Sequence, residues 1–173
     1  MAKFLSVLGI MSRKQHLLYG DPNRFEVVAE FVMERFSGKV KYIADVAGGQ
    51  GILTRILSKK GNFVCDLIDP RPIALKGINH RKEEFSADMS HYYDLLIGLH
   101  PDHALRELAK SALIKPMVLI PCCNFWDDQK RGKEELLTAI EDFYNQNSVS
   151  FERVVLSFNG PKNIALVSEP PCL

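Results

Sequence analysis

The sequence predicts an α/β protein: a mostly parallel seven-stranded sheet with helices on both faces and an antiparallel hairpin at its C-terminal end. Three observations predict this. Short apolar runs alternate with segments of helical period, the first run opens into a glycine-rich turn, and the last two strand-like segments are joined by a linker too short for a helical crossover.

Asp21-Pro22 offers a helix start, with a carboxylate at the cap and proline in the first turn. Phe25, Val28, Ala29, Val32, Met33 and Phe36 then recur at helical spacing until Ser37-Gly38 stops the run. Tyr42 to Val46 reads as a buried strand, Ala47-Gly48-Gly49-Gln50-Gly51 as a turn, and the stripe Ile52, Leu53, Ile56, Leu57 as a helix. Strands are expected near Phe63 to Ile68, Glu84 to Ala87, Leu95 to Leu99 and Met117 to Ile120. Pro101 opens a helix carrying Ala104, Leu105, Leu108, Ala109 and Ala112, and a last helix over Lys133 to Tyr144 turns Leu136, Leu137, Ile140 and Phe143 inward. Phe151 to Phe158 and Asn163 to Val167, linked by Asn159-Gly160-Pro161-Lys162, form the closing hairpin.

A chain of 173 residues, 46% hydrophobic and 25% charged, is expected to fold as one domain, residues 1–38 forming an N-terminal segment and helix and 40–173 a cofactor-binding core. Its net charge of +1 supplies no global pull toward nucleic acid or anionic lipid, so an RNA contact needs a local basic patch. Cys65, Cys122, Cys123 and Cys172 have neither the spread of a disulfide scaffold nor paired C-x-x-C spacing, so no metal site is expected and a reducing cytoplasm fits. The apolar run Phe4 to Met11 is followed by Ser12, Arg13 and Lys14 rather than a cleavage site, so export is not expected. No stretch is long enough to span a bilayer.

Ligands of open α/β sheets bind at the carboxyl ends of the strands, which puts the candidate chemistry in the loops after each strand. The small residues Ala47, Gly48, Gly49 and Gly51 let the chain turn sharply and a ligand lie against its backbone. A nicotinamide or flavin site predicts G-x-G-x-x-G, but Thr54 stands where the third glycine belongs, which favours a cofactor without a pyrophosphate. Asp69, 18 positions after Gly51, either accepts ribose hydroxyls or caps the turn Asp69-Pro70-Arg71-Pro72. His100 can contact the cofactor or act as a base, and Asp102 can orient it or cap the following helix. Cys122 and Cys123 read as packing thiols, with a nucleophile the rarer alternative; Phe125 and Trp126 are core aromatics or a stacking surface for a planar acceptor.

Asp45-Val46-Ala47-Gly48-Gly49-Gln50-Gly51 resembles the first motif of class I S-adenosylmethionine-dependent methyltransferases, with Ala47 in place of the usual first glycine. Leu99-His100-Pro101-Asp102 and Pro121-Cys122-Cys123-Asn124-Phe125-Trp126 are similar to a methyltransferase group with a P-C-C motif after the fifth strand, which includes a family of tRNA ribose methyltransferases. The resemblance runs from about Tyr42 to Trp126 and implies a Rossmann-like methyltransferase fold holding S-adenosylmethionine. It implies that the methionine part lies against the glycine turn, with Asp45 closing the first strand beside the cofactor, and that Asp88 takes the adenine amino group with Met89 beside the ring; Arg71 is placed to cover the other face. Asp88 as a helix cap and Arg71 as a solvated charge are the alternatives. The expected function is therefore methyl transfer, with His100 and Asp102 at the reacting end. The acceptor, RNA or a small molecule, is left open, and Arg13, Lys14, His16 and Tyr19 are the spare surface for choosing it. The rivals are a non-catalytic adenosylmethionine-binding partner subunit and an enzyme using the same fold for nicotinamide chemistry or aminopropyl transfer.

Overall fold

The computed structural model describes residues 20–172, so the expectations for Phe4 to Met11, Arg13, Lys14, His16 and Tyr19 lie outside the described residues. In chain order the elements are α1 (Arg24–Phe36), β1 (Tyr42–Val46), α2 (Ile52–Lys60), β2 (Val64–Ile68), β3 (Asn79–Arg81), a 3-10 turn (Ala87–Tyr92) and β4 (Leu95–Leu99). There follow a second 3-10 turn (Asp102–Ala104), α3 (Leu105–Ser111), β5 (Met117–Ile120), α4 (Lys133–Gln146), β6 (Ser150–Val155) and β7 (Ile164–Glu169). They form one seven-stranded sheet in the order β3-β2-β1-β4-β5-β7-β6. The first five strands of that order pair in parallel, and β7 runs antiparallel to both β5 and β6. This is the Rossmann-like methyltransferase fold.

The central strands are buried on both faces, and their period-two alternation divides the core. Ile43, Leu95, Ile97, Val118, Ile120 and Val167 face one side, under α1 and α2, whose Val28, Val32, Leu53 and Leu57 cover them. Ala44, Leu96, Met117, Leu119 and Leu166 face the other, under α3 and α4, where Leu108, Leu137, Ile140 and Tyr144 close the layer. The outer strand β6 carries its own protection. Arg153 reaches Glu134 and Glu141 on α4, placing charge along an edge that would otherwise offer unpaired backbone to a neighbour.

Three expectations need correcting. The third strand is Asn79–Arg81, not Glu84 to Ala87: a three-residue polar edge strand has no apolar alternation to betray it, and Phe85 is buried as a loop residue in the second core layer. Helix α1 begins at Arg24 rather than at Asp21-Pro22. The Asp21 carboxylate instead accepts from the backbone N–H of Asn23 (2.9 Å) and of Asn159 in the distant hairpin (2.7 Å). On α4, Tyr144 rather than Phe143 completes the inward stripe, because it follows Ile140 by one i,i+4 step; Phe143 sits edge-on to Trp126 instead.

Gly98 in β4 allows α3 to lie close on the sheet. A Cβ there would stand 2.5 Å from Leu108 Cδ1 and 3.2 Å from Leu119 Cδ1. Overpacking of this kind costs about 1–3 kcal/mol, so Gly98→Ala should lower the unfolding free energy by that amount, read as a lower urea midpoint with an unchanged slope.

Candidate functional site

The chain runs from β1 outward through β2 to β3, then returns to β4 on the other side of β1. The carboxyl ends of β1 and β4 are therefore the switch point of the sheet, the place where open α/β sheets hold their ligand crevice. Asp45 lies in β1 at this edge and is completely buried. Its Oδ2 accepts from the Thr54 N–H (3.1 Å) and hydroxyl (2.7 Å), tying β1 to the first turn of α2. Its Oδ1 is buried without a partner among the described residues. Burial pushes the carboxyl up to about 6; the Thr54 bonds pull it down and the nearby Asp69 charge pushes it up again.

The glycine turn is wrapped over this carboxylate. A Cβ on Gly48 would stand 2.5 Å from Asp45 Cγ, so only glycine fits above it. Gly51 has φ +78 and its missing Cβ would overlap Ile78, so it shapes the turn from inside the protein. Ala47 adopts φ 54, a left-handed conformation that costs a non-glycine residue about 1–2 kcal/mol. Gly49 is fixed from the side, its N–H donating to Asp69 Oδ2 (2.8 Å). Asp69 also accepts from Arg71: Oδ1 from the backbone N–H and Nε (both 2.9 Å), and Oδ2 from a terminal guanidinium nitrogen (2.7 Å). Burial alone would raise the Asp69 carboxyl, and the donors from Arg71 and Gly49 outweigh it, holding the group below its ordinary value. Asp69 thus both holds its own turn and anchors the glycine loop, while the exposed Arg71 guanidinium lies across the loop.

At the end of β4 two left-handed non-glycine residues, His100 (φ 57) and Asp102 (φ 45), flank the buried Pro101. His100 is half-buried, and its Nε2 lies 3.0 Å from the Lys162 carbonyl in the β6–β7 hairpin. A carbonyl only accepts, so Nε2 carries the proton and Nδ1 keeps its lone pair. Burial, together with the charges of Arg24 and Lys162, holds the imidazole below its ordinary value despite the Lys162 carbonyl. Asp102 neither caps the 3-10 turn nor bonds to His100; its Oδ1 accepts from Cys122 Sγ at 3.6 Å. Across the gap Lys162 Nζ lies 3.5 Å from Cys123 Sγ. Sequence spacing gave no sign of this lysine beside the cysteines, because it arrives from the hairpin.

Asp45, Ala47, Gly48, Gly49, Gly51, Asp69 and Arg71 are thus assembled into one edge, with His100 and Asp102 at the end of the neighbouring strand. Asp88 and Met89 stand apart from these bonds. Asp88 is exposed inside the Ala87–Tyr92 turn, whose cap position is Ser86, and Met89 packs partly buried against the second core layer. No helix of the described residues is long and apolar enough to cross a membrane.

No protein-family profile and no curated protein sequence matches this chain. Solved structures do. A candidate RNA methyltransferase from Pyrococcus horikoshii, PH1948, superposes with a TM-score of 0.60 at 12% identity over 98% of this chain and 96% of that one. The ribosomal protein L11 methylase of Lactobacillus delbrueckii subsp. bulgaricus gives 0.56 at 16% over 93% and 92%. The Bacillus subtilis M1A22 tRNA methyltransferase TrmK gives 0.56 at 12% over 82% and 64%. This chain thus spans less than two thirds of TrmK, and 48% of monomeric WbdD. At these identities the likeness establishes the fold.

Asp45 generates a prediction of its own. Its carboxyl titrates near 6 when folded and near 3.8 when unfolded. Between those values the folded state binds more protons, so the Asp45 contribution is present below about pH 4 and is lost as pH rises through 6. Asp45→Asn escapes this loss. Relative to the parent, the variant should gain on the order of 3 kcal/mol between pH 4 and pH 7, measured by urea denaturation at both values.

Proposed function

We propose that this chain binds S-adenosylmethionine at the crevice between β1 and β4 and transfers its methyl group to an acceptor. The observation that carries the reading is the Asp45 carboxylate at the start of α2. In a pyrophosphate-binding turn the first helix presents free N–H donors to the anion. Here the Thr54 donors are already taken by a carboxylate, which repels phosphate and favours a cationic ligand such as a sulfonium. The unpartnered charge of Asp45 Oδ1, enclosed beneath the small-residue loop, favours such a group lying on the loop above it.

When bound, S-adenosylmethionine supplies an electrophilic methyl carbon; the protein's part is alignment and proton handling. The backbone of Ala47, Gly48 and Gly49 forms the floor for the methionine portion, and Asp45 biases the local field toward positive charge. Asp69 is assigned to the ribose. Four donors fill its four acceptor positions, so ribose hydroxyls reach it in exchange for the side-chain bonds of Arg71, whose exposed guanidinium is free to turn outward and cover the adenine. Asp88 and Met89 are assigned to the adenine edge on the strength of the motif resemblance. His100, neutral at physiological pH with Nδ1 unprotonated, is assigned as the base that takes a proton from the acceptor. The structural neighbours' names include a tRNA and a ribosomal-protein methyltransferase, so the fold does not select among acceptors.

S-Adenosylhomocysteine should raise the melting temperature while NAD leaves it unchanged, since a ligand bound only by the folded state stabilises by mass action. Equal shifts, or none at millimolar adenosylhomocysteine, would remove the cofactor assignment. Tight binding with no radiolabelled methyl transferred to RNA, protein or metabolite fractions would instead identify a partner subunit. His100→Ala should reduce single-turnover transfer by about 100-fold or more at saturating cofactor and abolish a rate that rises with pH through an imidazole value below the ordinary one. An unchanged rate with weakened cofactor affinity would make His100 a contact rather than a base.

A further inference from the structure

The pair Cys122-Cys123 follows the C-terminal end of β5, while Asp102 follows that of β4, and the two strands are hydrogen-bonded neighbours. One donor atom from each of the three side chains lies within 4.8 Å of the others, and Asp102 Oδ1 is 3.6 Å from Cys122 Sγ. In a tetrahedral zinc site, with bonds of about 2.3 Å to sulfur and about 2.1 Å to oxygen, adjacent ligand atoms stand about 3.5 to 3.8 Å apart. The three groups therefore need small side-chain shifts to share one ion. We propose that Asp102, Cys122 and Cys123 form a site for one thiophilic divalent ion of the zinc class, with its fourth position open to an exchangeable ligand.

Charge and ligand chemistry both favour this ion. Two thiolates and a carboxylate carry three negative charges, a divalent ion leaves one, and the Lys162 ammonium 3.5 Å from Cys123 Sγ brings the cluster to neutrality. Two sulfur donors select against magnesium and calcium, which take oxygen ligands. Three protein ligands with an open position are the arrangement of zinc sites that bind a water or a substrate rather than a purely structural set. Because Cys123 is exposed, that fourth position is within reach of a water, a thiol or a hydroxyl from solution. Pro101, buried between the left-handed residues His100 and Asp102, fixes the carboxylate at the rim, so the ion would sit on the same sheet edge as the β1–β4 crevice. The binding itself does not depend on methyl transfer and is tested without cofactor.

The test is titration of the reduced, chelator-stripped full chain with Co²⁺ as the spectroscopic probe, followed by Zn²⁺. One equivalent of Co²⁺ should produce sulfur-to-cobalt charge-transfer absorption with tetrahedral visible bands, and one equivalent of Zn²⁺ should erase both. Cys122→Ser and Cys123→Ser should each remove about half of the charge-transfer intensity, because each supplies one of two thiolates. Asp102→Asn should weaken Zn²⁺ binding about tenfold or more, since losing even an outer partner of a ligand costs about 10- to 100-fold. Cys172→Ser should change nothing. Absence of charge-transfer absorption in the parent protein, its survival in the Cys122→Ser/Cys123→Ser double variant, or unaltered affinity in Asp102→Asn would overturn the site. None of these readouts moves if the adenosylmethionine assignment fails, and the adenosylhomocysteine melting test is blind to the metal.

Discussion

The buried carboxylate of Asp45 is the constraint on which the rest of this edge depends. Taking a carboxylate out of water is costly, and the cost is tolerated because two Thr54 donors meet one oxygen and join the middle strand to the helix that follows it. Once that link is made, the chain between them has little freedom. Gly48 must lack a side chain to pass over the carboxylate, Gly51 must turn where Ile78 leaves no room, and Ala47 is held left-handed between them. Asp69 then fixes Gly49 from the next strand. Two acidic groups, each at the end of a neighbouring parallel strand, thus define the loop from beneath and from the side, and the Arg71 guanidinium balances the second of them.

Much of the architecture was legible because buried parallel strands are written as continuous apolar runs and the flanking helices as periodic stripes. Tyr42–Val46, Leu95–Leu99 and Met117–Ile120 coincide with their expected ranges for that reason. Asn79–Arg81 was illegible because an edge strand of three polar residues is specified by its ladder to Asp66, Leu67 and Ile68, a tertiary fact with no local signature. Phe85 drew the expectation toward the wrong segment, since burial of one aromatic in a loop looks in sequence like the core of a short strand. Asp21-Pro22 misled differently. The carboxylate does satisfy backbone donors, but one belongs to Asn159, 138 positions away, and nothing local reveals a cap shared between two distant segments.

At the candidate site the division falls along the same line. Asp45, the glycine loop and Asp69 are close in sequence and carry recognisable spacing, so they were legible in the sequence. The contacts among Asp102, Cys122, Cys123, His100 and Lys162 were not, because they join the loops after two strands to the tip of a hairpin. The position of Asp102 suggests a cap or an orienting partner for His100, whereas in the structure it contacts Cys122. The orienting partner of His100 is a backbone carbonyl, a group every residue possesses and no sequence pattern can point to.

The hairpin that holds that carbonyl has an architectural consequence. Lys162 presents its carbonyl to His100 and its ammonium to Cys123, while Asn159 on the same loop is pinned by Asp21 ahead of the first helix. The last two strands therefore do more than seal the sheet: their connecting loop lies against the residues that follow β4 and β5, carried on a unit separate from the β1–α2 cradle. Lengthening or rewriting this loop would remodel the surroundings of His100 and Cys123 while leaving the glycine turn intact. Change beside the end of β4 can therefore accumulate in a linker that lies 90 to 93 positions beyond Asp69, the anchor of Gly49.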